Sequence, residues 1–269
     1  MYLLHNGHLV PEATFALPLP NRGLQFNDGF FETLIWDDYK VQLLPYHMAR
    51  MRQAAQALSL QLPTALTTET DLQDMLRALV EAKQLTTARL RLQFWRAGGG
   101  LYAPTTAEAE FVVTAQPFQP AESVVNKADF AQRVRTAFST VSFCKGPNAL
   151  QYVLAAQERQ QRELDELILL DGAGCVAECV SAAIFWVRNG CLYTPSLETG
   201  CIAGVRRAYF LQRARELAIP CAEGLYEPEA LLQAEVVFTA NIAGIRILKQ
   251  VGKVLFSSIN HSVLNALLA

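Results

Sequence analysis

Two charged side chains stand where the neighbouring sequence is apolar. Lys145 follows the run Val141 to Cys144 and precedes a Gly-Pro-Asn turn, with an amphipathic helix from about Ala149 to Glu163 behind it. An ammonium on a flexible stem belongs in water unless the fold uses it, so Lys145 is either a snorkelling surface lysine or a reactive amine. Glu178 interrupts "CVAECVSAAIFWV", a stretch whose apolar and small residues predict a strand covered on both faces. A carboxylate there needs a cationic or hydrogen-bonding partner, or else a raised pKa, and an ordinary buried ion pair would satisfy it. In "LETGCIAGVRR" a helix opens near Gly204 and Val205, and the free N–H groups of a helix start can hold an anion. Arg50, in "HMARMRQAA", lies on a short helix around His47 to Leu58 and by itself is any solvated arginine.

Taken together, a lysine able to form an imine, a buried carboxylate, an anion cradle at the helix start of Gly204 and Val205 and a spare arginine are the requirements of pyridoxal phosphate. They match its aldehyde, its pyridine nitrogen and its phosphate. A GxGxxG fingerprint and a P-loop are both absent, which leaves nucleotide alternatives without support. The alternating strand "ARLRLQFWR" puts Arg89 and Arg91 on one side and Arg96 at its end. One of them is a candidate partner for a substrate carboxylate, with Arg91 put first only by resemblance to known enzymes that have an arginine at that position; solvated strand arginines would read the same way. Phe26 and Phe30 could form an apolar wall or pack in the core.

The elements that must position these groups are legible in the spacing. "YLLHNGHLV" is a hairpin around Asn6-Gly7, with His5 and His8 as solvated strand ends. "FFETLIWDDYKVQLL" reads as a second hairpin with its turn at Asp37-Asp38. Leu72, Met75, Leu76, Leu79 and Val80 form one helix face. "EFVVTA" is another strand, and the proline-bearing "QPFQPAE" is the best linker. Beyond it come strands "ELILLD", "CVAECVSAAIFWV", "CLYTP" and "EVVFTA" and a short terminal helix. The class is α+β in two domains, residues 1–116 and 123–269 joined by a linker over 117–122.

With 269 residues, half of them apolar, the chain can bury a sizeable core. A net charge of -2 with dispersed Lys and Arg argues against nucleic acid and acidic membrane surfaces as partners. The six cysteines make no CxxC pair and read as reduced core residues, and no metal site is expected. The start has no secretory pattern and no stretch approaches a membrane span, so the expected location is cytoplasmic.

The sequence resembles the class IV, or fold-type IV, pyridoxal-phosphate enzymes. The resemblance runs in order through "NRGLQFNDGFFETL", "HMARM", "KGPNAL", "DELILLDGAGCVAE", "LYTP", "GCIAGVRR" and "VVFTAN". It implies a small α/β N-terminal domain, a larger antiparallel-sheet C-terminal domain with helices, the cofactor in the cleft, and a homodimer acting on a small-molecule amine. By position it implies that Lys145 forms the imine and Glu178 pairs with the pyridine nitrogen. It further implies that Arg50, the N–H groups of Val205 and Arg206, and Asn241 hold the phosphate. Ala149 replaces a common phenol, Ala183 a common asparagine, Val180 a small or polar residue, and Arg206 a threonine of the phosphate turn, where it would add charge. "FNDGFFETL", "ECVSAAIFW" and the tail "VLFSSINHSVLNALL" are similar to 4-amino-4-deoxychorismate lyases, which form 4-aminobenzoate and pyruvate. The alternatives are an amino acid transaminase of branched-chain or D-amino acid type, and a cofactor-binding protein without turnover.

Overall fold

The computed structural model describes residues 1–120, 122–147, 149–256 and 261–269. Ala121 of the expected linker, Asn148 of the Gly-Pro-Asn turn and residues 257–260 of the tail lie outside the described residues. Two compact units result: Met1–Gln119 with Cys144–Pro147, and Pro120–Phe143 with Asn148–Ala269. The first unit thus takes in a four-residue segment around Lys145 that a division along the sequence assigns to the second.

The first unit is a six-stranded antiparallel sheet in the order β2-β1-β6-β5-β3-β4. β1 (Tyr2–His5) and β2 (His8–Pro11) form the hairpin, with Asn6 and Gly7 both at positive φ, as its tight turn requires. His5 is not a solvated strand end: its ring stacks on Trp95 at 6.3 Å and meets Phe15 edge-on at 5.2 Å. A short α1 (Arg22–Phe26), capped by Asn21 on the Leu24 N–H, leads into β3 (Gly29–Asp37). β4 (Lys40–Val41) pairs Lys40 with Asp37, so the turn is Asp38-Tyr39, one residue later than the sequence suggests. α2 (Leu44–Ala57) starts earlier than expected, with Pro45 in its first turn, where no N–H is needed. α3 (Glu69–Ala82) is capped by Thr68 and buries Leu72, Leu76, Leu79 and Val80. β5 (Ala88–Arg96) runs between β3 and β6 (Ala109–Pro117). Its Leu90, Leu92 and Phe94 are fully buried while Arg89 and Arg91 are exposed, the two-residue alternation of a sheet with one covered face. Each such Leu or Phe contributes on the order of 1.5–3 kcal/mol by leaving water.

The second unit holds two sheets and the remaining helices. β7 (Val124–Val125), β8 (Ala128–Thr136), α4 (Ala149–Gln161) and β9 (Glu166–Asp171) are followed by β10 (Val176–Cys179), β11 (Ala183–Arg188) and β12 (Cys191–Pro195). Then come α5 (Val205–Glu216), β13 (Cys221–Gly224), α6 (Pro228–Leu232), β14 (Val236–Asn241), β15 (Gly244–Leu248), β16 (Gln250–Val251), β17 (Val254–Leu255) and α7 (Ser262–Leu268). One sheet has the order β10-β9-β8-β16-β17 and the other β13-β12-β11-β14-β15-β7. Most pairings are antiparallel; β8 with β9 and β16, β12 with β13, and β7 with β15 run parallel.

"CVAECVSAAIFWV" is therefore two strands and not one. β10 pairs with β9 and β11 with β14, so the chain changes sheets at residues 180–182, where the Cys179 N–H donates to the Ala182 carbonyl at 2.8 Å. Strand switching of this kind makes the corner between packed sheets. Ile168, Val176 and Cys179 of one sheet and Ile184, Trp186 and Val237 of the other share one core. On the second sheet's far face Phe185 and Phe238 pack on Phe210 of α5 and Leu264 of α7. All six cysteines are free.

Candidate active site

In the first unit the segment carrying Lys145 is tied to the start of β3. The Phe31 N–H donates to the Lys145 carbonyl at 2.9 Å and Asn27 Nδ2 to the Gly146 carbonyl at 2.6 Å. Gly146 has φ 142°, and a Cβ there would stand 2.9 Å from Phe30 Cα, so glycine lets the segment lie against the strand. The Lys145 ammonium nitrogen is 5.8 Å from the centre of the Phe31 ring, and the Arg91 guanidinium carbon lies 3.7 Å from the same centre. One half-buried aromatic ring thus carries both cations. Arg91 also donates to Gln93 Oε1 at 2.9 Å. Although Arg91 is exposed as a residue, partial desolvation of its guanidinium, followed by the charge of Arg89, lowers its pKa.

Two other candidate side chains are engaged within the first unit. Phe30 is 1 % exposed and stacks on Phe94 at 4.6 Å; strand alternation sends it into the core and turns Phe31 toward the lysine. Arg96 is committed to Asp28, to the Leu58 carbonyl at 2.5 Å and to the Ser59 carbonyl at 2.9 Å, so it holds the end of α2 and not a ligand. Phe26, half-buried on α1, lies against Tyr102 at 5.7 Å and under the Arg22 guanidinium.

Arg50 is not a solvated arginine. It is 4 % exposed and grips the buried Glu32 through Nε to Oε1 at 2.7 Å and Nη2 to Oε2 at 2.5 Å. His47, fully buried one turn before it, sets Nδ1 2.7 Å from Glu32 Oε2, while its Nε2 is buried without a hydrogen-bond partner among the described residues. Burial alone would push the Glu32 carboxyl up, but Arg50 and then His47 outweigh it and hold it at about 2. Burial lowers the His47 pKa in spite of Glu32, with Arg50 and Lys145 adding to the effect, so His47 is neutral and donates from Nδ1. Glu32 lies in "FFETL", a run that reads as a plain strand, and no sequence signal ties it to Arg50. Burial also raises the neighbouring Cys144 thiol to about 11, which keeps it protonated.

In the second unit Glu178 is 4 % exposed at the end of β10. Its Oε1 accepts from the Tyr152 hydroxyl at 2.6 Å and from the Ile202 N–H at 3.2 Å. Gly204, two residues after Ile202, caps α5 with φ -60° and ψ 135° and provides no side-chain cap, so the first-turn N–H groups, those of Val205 and Arg206 among them, point out of the helix end. The Arg206 side chain is tied to the turn after β14: Nε donates to the Asn241 carbonyl at 2.6 Å and Nη2 to the Ile242 carbonyl at 3.3 Å. Asn241 in turn donates to the Ser181 carbonyl at 3.1 Å and accepts the Ala243 N–H at 2.8 Å, fixing the turn after β14. Gly204, Val205, Arg206 and Asn241 are thus brought together beside Glu178's own backbone donor. Ala149 and Ala183 bring no polar side chain, and Val180 packs beside α4.

These donors suit pyridoxal phosphate. A buried carboxylate that accepts from a phenol and an amide suits the pyridinium of the cofactor. In the second unit the uncapped helix start is anion-binding chemistry; in the first, Arg50 is a buried guanidinium and Lys145 an amine of the kind that forms imines. Among the described residues no cluster of three or more His, Cys, Asp or Glu could hold a metal ion, and no helix is long and apolar enough to cross a membrane.

The family model for class IV amino-transferases matches residues 29–251, and the chain belongs to that family of enzymes. Class IV aminotransferases use pyridoxal 5'-phosphate. Among relatives, aminodeoxychorismate lyase of Bacillus subtilis is 28 % identical over 88 % of this chain and 81 % of its own. The branched-chain-amino-acid aminotransferase of Salmonella typhimurium is 24 % identical over 90 % of this chain and 82 % of its own. The crystal structure of 4-amino-4-deoxychorismate lyase from Pseudomonas aeruginosa superposes with a TM-score of 0.84 at 26 % identity, covering 98 % of this chain and 96 % of that one. The architecture is that of the fold-type IV enzymes, α+β with mainly antiparallel sheets.

Proposed function

We propose that the chain is a cytoplasmic, pyridoxal-phosphate-dependent 4-amino-4-deoxychorismate lyase that converts its substrate to 4-aminobenzoate and pyruvate. The observation that carries this reading is the pairing of Lys145 and Arg91 on the Phe31 ring. A flat apolar surface flanked by a reactive amine and a guanidinium suits a cyclic carboxylate. The likeness to lyases in sequence and in fold supports it.

When bound, pyridoxal phosphate supplies an aldehyde for the substrate amine and a ring that accepts an electron pair from the neighbouring carbon. In this reading Lys145 holds the group at its aldehyde and moves the proton at the substrate carbon. Glu178 would pair with the ring nitrogen and hold its proton. Arg50 and the Gly204 to Arg206 turn, with the N–H groups of Val205 and Arg206, hold the phosphate with Asn241. Glu32 and His47 fix Arg50 in one rotamer, and Arg91 orients the substrate carboxylate. Phe31 takes the apolar wall role expected of Phe30, with Phe26 a further contact.

The likeness to the branched-chain transaminase supports a second reading, in which the same residues serve amino group transfer between amino acids and 2-oxo acids. Incubation with aminodeoxychorismate separates the two. The lyase releases pyruvate and 4-aminobenzoate in equal amounts, and glutamate formation from amino acids and 2-oxoglutarate without any 4-aminobenzoate assigns the transaminase instead.

The active form in this proposal is a homodimer. On α4 the exposed Leu150, Val153 and Leu154, at 70, 52 and 47 % exposure, make an apolar stripe at helical spacing that a second copy would cover.

A further inference from the structure

We infer that Tyr152 is the positioning residue for Glu178, delivered by α4 to hold the carboxylate in one orientation and to set how tightly it keeps the ring-nitrogen proton. The inference rests on the reading that Glu178 faces that nitrogen. Nothing in the sequence motifs assigns Tyr152 a role, and Ala149, one turn before it, has no hydrogen-bonding side chain.

The geometry is specific. The Tyr152 hydroxyl and the Ile202 N–H both donate to Glu178 Oε1, at 2.6 and 3.2 Å, from two different elements. Two donors on one oxygen fix the carboxylate plane. The phenol itself is held by a rigid mount. Ala155 of α4 is fully buried against Ala131, Val134, Leu167 and Leu169, with the Tyr152 ring packed on the same cluster. Glu158, one turn further and 3 % exposed, accepts the N–H groups of Gln132 and Arg133 in β8 at 2.8 and 3.0 Å. The helix cannot slide along β8 without breaking those charge-assisted bonds, so the hydroxyl stays aimed at Glu178.

Burial, followed by the charge of Glu178, raises the phenol's pKa well above its ordinary value, so the hydroxyl remains a donor throughout the working range. Among the described residues the Cys201 and Cys179 thiols also interact with Glu178. Burial and then Glu178 push Cys201 up to about 12, and burial leads the rise of Cys179, so both stay neutral. A phenol donating to a carboxylate lowers its proton affinity. Without it, the proton shared with the ring nitrogen moves toward Glu178.

The test uses holoenzyme and reads the absorbance of the lysine-bound cofactor against pH, with the nitrogen-15 shift of labelled cofactor as a second readout. Y152F keeps the ring and its packing. It should move the absorbance midpoint by between about half and one pH unit, in the same direction as E178Q but less, with an unchanged thermal midpoint of the apoprotein. Y152L should give the same spectral shift with lower stability, and Y152F added to E178Q should add nothing. An unshifted Y152F beside a shifted E178Q overturns the role of Tyr152 and leaves that of Glu178 standing. An unshifted E178Q overturns the placement of Glu178, and the inference with it. Additive shifts in the double variant would show that Tyr152 acts elsewhere, which also overturns it.

Discussion

Arg50 holds Glu32 with two nitrogens, at 2.7 and 2.5 Å, inside a unit where both side chains are almost fully buried. Removing the carboxylate alone takes two charge-assisted bonds from a buried guanidinium. Glu32→Ala should therefore cost about 3–5 kcal/mol of stability and weaken cofactor uptake by loosening Arg50. Urea unfolding of the apoprotein measures the first effect. A loss below about 1 kcal/mol, the range of an exposed pair, would mean that water reaches Arg50.

The same cluster sets an acid limit. Glu32 titrates at about 2 in the fold against 4.5 when unfolded, so its contribution is present above 4.5 and is lost as pH falls toward 2. His47, lowered from 6.5 and neutral in the fold, costs stability once the unfolded chain begins to take up protons below 6.5. Both slopes have the same sign: stability should rise with pH from about 2 to about 6.5. His47→Phe should flatten the upper part of that rise and Glu32→Gln the lower part. Urea midpoints measured across the range would go against the account if either variant kept the wild-type slope in its own window.

How far the sequence reached follows from what distinguishes a residue locally. Lys145 and Glu178 stand out as candidates because a charge in an apolar run is an anomaly that needs no structure to notice. The Asn6-Gly7 hairpin was legible because two positive φ values demand such residues. Phe30 and Phe31 are alike in type and adjacent, and only the register of β3 on β5 decides which faces the lysine. Glu32 and Tyr152 are ordinary in a strand and a helix; their partners lie 18 and 26 residues away. The division of "CVAECVSAAIFWV" into two strands is a tertiary event, since both halves keep high strand propensity and only pairing with β9 and with β14 separates them.

Arg91 should act on substrate and not on cofactor. Arg91→Ala removes the guanidinium from the Phe31 ring and should raise KM by about 10-fold or more, the worth of a charged hydrogen bond. Cofactor affinity should stay at the wild-type value. Steady-state kinetics and a cofactor titration check the two halves separately; a loss of cofactor binding would contradict the assignment.

The stripe on α4 predicts association. Val153→Glu with Leu154→Glu places charges on exposed positions that cost a monomer little, yet should halve the sedimenting mass. Wild-type protein sedimenting as a monomer at micromolar concentration would rule out the homodimer.

The central claim is that Lys145 carries pyridoxal phosphate, and borohydride reduction followed by peptide mass mapping addresses it most directly. The account predicts one reduced pyridoxyl phosphate group per chain, on the peptide containing Lys145, and none on Lys145→Ala protein. A label on Lys40, Lys83, Lys127, Lys249 or Lys253, or no label on protein saturated with cofactor, would contradict it.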